Sequence, residues 1–204
     1  MVNPDVLSQP QYEPVFEKNI EMPMRDGTIL RANVTRPNAA GSFPILLERS
    51  PYNKDGGSEI AVGAPEFFAR RGYAVVIQDV RGRFASDGEF YPFKDDGAGV
   101  LRDGYDTIEW LATQPWCNGD IGTIGGSYSG ATQYQAALSR PPHLRAMFVR
   151  ESSADYQREW VYRDGAFELG FSLYWAHVVT ETNLPHLAEG EELERQKRLL
   201  RKAG

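Results

Sequence analysis

The sequence predicts an α/β fold built on a mainly parallel sheet. Three observations point there. Nearly continuous apolar runs recur at residues 44–49, 73–78, 121–124 and 145–149, the pattern of strands covered on both faces. Helical stretches separate these runs, and alternating strands and helices imply right-handed crossovers between parallel strands. A glycine-rich hexapeptide, Gly125-Gly126-Ser127-Tyr128-Ser129-Gly130, joins the third run directly to a helix.

The elements follow in chain order. Residues 15–22 and 28–36 read as two strands. Met24-Arg25-Asp26-Gly27 lies between them, and its Asp-Gly pair is a strong hairpin signal. The first two strands therefore form an antiparallel N-terminal hairpin. Residues 65–71 read as a short helix. The spacing of Val100, Leu101, Tyr105, Ile108, Leu111 and Ala112 predicts a longer one over 97–113. Residues 128–138 form the helix after the glycine-rich turn. Beyond about residue 150 the rhythm stops and aromatics crowd in: Tyr156, Trp160, Tyr162, Phe167, Phe171, Tyr174 and Trp175. No further apolar strand is evident there. Residues 189–203 read as a helix with acids first and bases last, which complements the helix dipole. Glu191–Arg195 and Glu194–Arg198 have the spacing of i,i+4 ion pairs. Two segments result. Residues 1–150 carry the sheet, and 151–204 read as a helical layer lying over it.

Composition narrows the function classes. The chain of 204 residues is long enough for one domain with a sizeable core, at 41% hydrophobic and 25% charged residues. A net charge of −6, without basic runs interleaved with aromatics, argues against nucleic acid as a partner. The single cysteine, Cys117, excludes an internal disulfide framework and a cysteine metal cluster. It sits in a turn ahead of a strand, where a structural role outweighs a nucleophilic one. No apolar stretch approaches a membrane span. The first eleven residues lack the apolar core of a signal peptide, so the default expectation is a cytoplasmic protein. Nothing calls for a cofactor or a metal, and self-association into a homo-oligomer stays open.

The hexapeptide carries the chemistry. A serine on a sharp turn between strand and helix is a nucleophile elbow. The strained backbone there demands small neighbours. Gly125 lies two residues before Ser127 and Ser129 two residues after, where the pattern usually has glycine. The helix start supplies free N–H groups and a positive dipole end for a developing oxyanion. On these residues alone, a glycine-rich turn without chemistry stays open. Tyr52, in a turn after the first apolar run, reads on its own as a tyrosine packed at the surface.

The chain resembles the N-terminal part of the cocaine esterase / X-Pro dipeptidyl-peptidase-like serine hydrolases, the CocE/NonD and S15 group. The resemblance runs from about Met22 to Asp155. Its landmarks are Met24-Arg25-Asp26-Gly27, Arg49-Ser50-Pro51-Tyr52-Asn53-Lys54, the segment from Gln78-Asp79-Val80-Arg81-Gly82-Arg83 to Gly88-Glu89-Phe90, Asp103-Gly104-Tyr105-Asp106-Thr107-Ile108-Glu109-Trp110-Leu111, and the elbow. It implies an α/β-hydrolase fold with the start of a helical cap. It implies hydrolysis of an ester or amide through a Ser127 acyl-enzyme. By position, Ser127 matches the nucleophile, the backbone N–H of Tyr128 one oxyanion donor, and the hydroxyl of Tyr52 the other. The substrates implied are small: carboxylic esters, α-amino acid esters, or peptides with proline in second place, with substrate bound between sheet edge and cap.

Other charged residues read as structure. Asp79 and the arginines after it suggest an Asp–Arg pair bracing the loop. Asp95, Asp96, Asp103 and Asp106 suggest caps and a solvated helix face. Asp155 is the weak candidate for holding a substrate ammonium. The triad order of this fold is Ser, then Asp or Glu, then His. After Ser127 the histidines are His143, His177 and His186. Asp155 or Asp164 followed by His177 or His186 fits the order formally, but cap packing or surface placement suits these histidines better. In the resembling family the acid and histidine lie beyond the cap, on later strands. The expectation is therefore an incomplete sheet, with the proton-transfer pair beyond residue 204 and an edge prone to aggregate. The alternative is an inactive truncated remnant or a non-catalytic binding module.

Overall fold

The computed structural model describes residues 8–56, 64–97 and 99–203. They divide into two compact units, Met1–Ser152 and Ser153–Gly204. The first is a six-stranded mixed sheet flanked by helices. Its strands are β1 (Pro14–Pro23), β2 (Ile29–Pro37), β3 (Phe43–Ser50), β4 (Ala74–Asp79), β5 (Cys117–Gly126) and β6 (Leu144–Arg150). Its helices are α1 (Ala64–Ala69), α2 (Asp103–Ala112) and α3 (Ser127–Leu138). The strand order is β1-β2-β4-β3-β5-β6. β1 and β2 pair antiparallel, as do β2 and β4, whereas β4–β3, β3–β5 and β5–β6 are parallel.

The hairpin closes as its Asp-Gly turn predicts. Gly27 takes φ 85°, and its N–H donates to the Met24 carbonyl at 2.9 Å. Every residue of β4 is buried, so an apolar run with no polar alternation suits that strand. Its side chains alternate between faces. Ala74 and Val76 join Leu30, Ile45, Leu47 and Ile121 under Ile108 and Leu111 of α2. Val75 and Ile77 pack with Phe68 and Ile124 on the other face. β6 departs from this pattern. It is an edge strand, and Met147 and Phe148 remain 40% and 59% exposed.

The second helix begins later than its apolar spacing predicts. The backbone N–H of Asp103 donates to the Asp95 carbonyl at 2.9 Å, which ends the preceding loop there. Val100 consequently lies in that loop at 91% exposure. α2 crosses close to α3: a Cβ at Gly104 would stand 2.7 Å from the Ala136 Cβ.

Charged residues of the loops and of α2 are held in ion pairs, those of Arg49 with Asp96 and Arg81 with Asp103 buried, which corrects the reading of Asp96, Asp103 and Asp106 as caps and a solvated face. Arg49 Nη1 meets Asp96 Oδ1 at 2.8 Å, with both side chains under 8% exposed. Arg81 bridges Asp26 at 2.8 Å and Asp103 at 2.7 Å. Arg25 holds Asp106 at 2.7 Å. Among the described residues the ion pair of Asp79 is with a lysine rather than an arginine: its carboxylate accepts from the Lys54 ammonium at 3.2 Å and from the backbone N–H of Lys54 and Ala85. The brace exists, with other partners. Burial pushes the carboxyls of Asp79 and Asp96 upward despite these cations.

Arg81→Met should strand the buried Asp103 carboxylate and destabilise the unit by about 3–5 kcal/mol in urea unfolding. A pH signature accompanies it. The hydrogen bond from Arg81 holds Asp26 down at about 2, against an ordinary 3.8. A depressed carboxyl contributes stability above its unfolded pKa and loses it as pH falls through the folded value. Stability from this group should therefore fall between about pH 4 and 2. Arg81→Met should flatten that part of the curve, and an unchanged slope would refute the assignment.

The second unit is described by itself. It holds α4 (Tyr156–Glu159), β7 (Tyr162–Arg163), β8 (Ala166–Phe167), α5 (Leu169–Leu187) and α6 (Gly190–Ala203). β7 and β8 form a small hairpin whose turn residues Asp164 and Gly165 take φ 50° and 85°. Two-residue strands leave no periodicity to read, so this hairpin escapes the apolar pattern. On α6 the pairs form at i,i+3, Glu192 with Arg195 at 2.7 Å and Glu194 with Lys197 at 3.0 Å, rather than at the i,i+4 spacing.

Candidate active site

β5 ends at Gly126 and α3 begins at Ser127 with no residue between. Ser127 carries the turn at φ 51°, in the left-handed region that non-glycine residues avoid. Such strain persists only where the surroundings over-determine it. The surroundings are tight. Gly125 takes φ 145°, and a Cβ on it would stand 2.5 Å from the Ser129 Cβ. A Cβ on Gly130 would stand 2.6 Å from the Ser152 Cβ. Gln133 Nε2 donates to the carbonyls of Gly125 at 3.1 Å, Ser129 at 3.2 Å and Phe148 at 3.2 Å, tying the helix's first turns to β5 and β6. Ser127 is half-buried while Tyr128 and Ser129 are buried. The N–H groups of the first turn of α3 have no acceptor within the helix.

Ser129 stands where the elbow pattern has glycine, and the structure shows what it does. Its Oγ donates to Oε1 of Glu48 at 3.0 Å. Glu48 is fully buried on β3, so this bond ties the elbow to the strand that leads into Tyr52. The departure from glycine was visible in the sequence, but its partner lies 81 residues away.

Tyr52 lies two residues past the end of β3, and its backbone N–H donates to Ser50 Oγ at 3.1 Å. β3 and β5 are parallel, so the Tyr52 turn and the elbow leave the same end of the sheet. The rings of Tyr52 and Tyr128 meet edge to face, centroids 6.4 Å apart. Tyr128 also stacks on Phe93 at 4.2 Å, and its hydroxyl accepts from the Phe93 N–H at 3.0 Å. The residues singled out from the sequence, Ser127, Tyr128 and Tyr52, therefore gather at one edge. Arg83 also reaches this edge. It is 1% exposed, and its Nε–H donates to the Pro51 carbonyl at 2.9 Å.

The X-Pro dipeptidyl-peptidase (S15) family profile matches residues 26–203. The chain belongs to this family. It is 43% identical over 164 residues to cocaine esterase of Rhodococcus sp. (strain MB1 Bresler), covering 79% of this chain and 28% of that protein. The structure of a CocE/NonD family hydrolase from Staphylococcus aureus superposes with a TM-score of 0.76 at 30% identity, over 91% of this chain and 36% of the other. An α-amino acid ester hydrolase superposes with a TM-score of 0.66 at 29% identity, over 84% and 32%. The fold is that of the α/β-hydrolases. This S15-family chain spans about a third or less of the length of these relatives, consistent with the N-terminal portion of such a fold.

The histidines and acids weighed as a proton-transfer pair stand on several elements of this S15-family chain. His143 accompanies the start of β6. Its carbonyl accepts from the Ile121 N–H at 3.1 Å, and its Nδ1 lies 2.8 Å from Glu109 Oε2. Ile121 precedes Ser127 by six residues along β5, roughly 20 Å of extended chain. His143 thus stands at the start of β6, level with the middle of β5 and well back along the sheet from the elbow. His177 and His186 lie on α5. Asp155 caps α4, accepting from the N–H groups of Gln157 and Arg158 at 3.1 and 3.0 Å. Asp164 occupies the left-handed position of the β7–β8 turn. Among the described residues no group of three His, Cys, Asp or Glu side chains could hold a metal ion, and no helix is long and apolar enough to cross a membrane.

Proposed function

We propose that this chain carries the nucleophile and oxyanion site of a serine hydrolase acting on a small ester or amide. The observation that carries the reading is the left-handed Ser127 on the β5–α3 turn, with Tyr52 and Tyr128 gathered beside it. Ser127 Oγ bonds to the substrate carbonyl carbon while its proton passes to a histidine base. The carbonyl electron pair moves onto oxygen, where the Tyr128 N–H and the Tyr52 hydroxyl donate to it. Collapse expels the alcohol or amine, which takes the proton from the histidine, and leaves an acyl-Ser127 ester. Water then reverses the sequence to release the acid.

The histidine and its acid are proposed to come from polypeptide outside these 204 residues. The distance of His143 from the elbow and the greater length of the relatives support this. Carboxylic esters, α-amino acid esters and X-Pro peptides are the candidate substrates, and the relatives' names span esterase, ester hydrolase and peptidase. A non-catalytic remnant is the second reading, favoured by the same position of His143.

A fluorophosphonate probe separates the two. The 204-residue chain should label slowly and hydrolyse p-nitrophenyl acetate little above background, because loss of the base alone costs about 10⁶ in kcat in a well-studied triad. The intact gene product should label rapidly at Ser127. An intact product that fails to label supports the remnant. Rapid Ser127-dependent turnover by residues 1–204 would instead place the base among His177 and His186.

A further inference from the structure

The loop after β4 holds a charge that the proposed reaction does not yet use. Gly82 takes φ 65° there, and a Cβ on it would collide with the Phe90 backbone nitrogen. The chain must therefore fold back at this point. Backbone bonds fix the return: Arg83 N–H to the Val80 carbonyl at 3.1 Å, and Ser86 N–H to the Arg83 carbonyl at 2.9 Å. The fold-back sends the Arg83 guanidinium inward rather than to solvent. Its carbon lies 4.8 Å from the Phe84 ring centroid and 4.9 Å from that of Phe90. Phe90 in turn lies 6.3 Å from Tyr128.

A fully buried cation is costly unless its charge and donors are used. The nearby Asp79 carboxylate is taken up by Lys54 and two backbone N–H groups. Nε of Arg83 ends instead on the carbonyl of Pro51, the residue immediately before Tyr52. Burial makes the guanidinium easier to deprotonate, while Tyr128, Asp79 and Tyr52 act on it in the opposite sense. The β4 loop thus reaches the turn that carries Tyr52 through one side chain.

We propose that Arg83 is the positioning residue of the oxyanion site, clamping the Pro51–Tyr52 turn through its bond to the Pro51 carbonyl. This rests on Tyr52 being an oxyanion donor. A phenol that must meet an oxyanion within a few tenths of an ångström needs its backbone held, and the Pro51 carbonyl is where Arg83 holds it. Arg83 touches no substrate in this scheme; it acts through Tyr52.

The test is a double-substitution cycle on the intact gene product, reading kcat, KM and thermal midpoint for Arg83→Gln, Tyr52→Phe and their combination. Arg83→Gln should lower kcat about tenfold with KM within about threefold, a coupling typical of residues in contact. With Tyr52 already phenylalanine, the same change should cost less than about twofold. Arg83→Lys keeps the charge and a donor for the carbonyl, and should recover part of the loss. It also carries the cycle if Arg83→Gln does not fold. A merely structural arginine would lower the thermal midpoint and reduce kcat equally in both backgrounds, and that additivity overturns the proposal. A large Tyr52→Phe loss beside parental kcat in both Arg83 variants overturns it as well. A parental rate in Tyr52→Phe removes the donor itself, and the proposal falls with it. Turnover in the parent that does not depend on Ser127 overturns the reading underneath both.

Discussion

Ser127→Ala is expected to abolish covalent labelling by a fluorophosphonate and to lower ester hydrolysis by the intact gene product by about 10⁶ in kcat. The elbow explains both the size of the effect and its selectivity. The turn places Ser127 at φ 51°, a conformation that alanine and serine tolerate equally, since both carry one Cβ. Removing the hydroxyl therefore takes away the nucleophile without relieving or adding strain. The thermal midpoint should stay within a few degrees, because among the described residues the side-chain hydrogen bonds that hold the elbow together come from Gln133 and Ser129 rather than from Ser127. Turnover of p-nitrophenyl acetate near the parent rate would remove Ser127 from the reaction.

Tyr52→Phe is the second large effect. It deletes one hydroxyl and leaves the ring that packs edge-on against Tyr128. Loss of a single oxyanion donor typically costs about 10²–10³ in kcat. The donor acts on charge that develops in the transition state, so KM should change little. The Tyr52 backbone bond to Ser50 and the Arg83 bond to Pro51 survive the substitution, so the turn should keep its shape. A kcat within about threefold of the parent, far short of a donor's usual contribution, would return Tyr52 to the class of packed aromatics. The labelling rate offers an independent check, because the phosphonyl oxygen also occupies the oxyanion site.

The two effects depend on features of unequal visibility. Ser127 could be found from a glycine spacing confined to six residues, because the strain of the elbow dictates small neighbours locally. Tyr52 is singled out only through the resemblance. A tyrosine in a turn has no local signature of catalysis, and what brings it to the elbow is the parallel pairing of β3 with β5. Arg83 and Glu48 were hidden in the same way. Each makes its telling bond to a residue far along the chain, Arg83 to Pro51 and Glu48 to Ser129.

The sequence by itself determined the fold class, the six principal strands, the elbow and the family. These are written in short-range terms: apolar runs where a strand is covered on both faces, Asp-Gly where a hairpin must turn, glycine where a side chain would collide. Tertiary structure alone decided which charge meets which. Arg49 meets Asp96 across 47 residues, and Arg81 Nη1 meets Asp26 across 55, and no periodicity encodes such pairings. The register Ser50↔Asp79 between β3 and β4 brings Lys54 to Asp79, where an arginine was expected. The register between β5 and β6 sets His143 level with the middle of β5, well back along the sheet from Ser127. The physical reason is common to all of these. Backbone propensity and strain act over a few residues, whereas burying a charge requires a partner at hydrogen-bond distance, and only the assembled sheet supplies one.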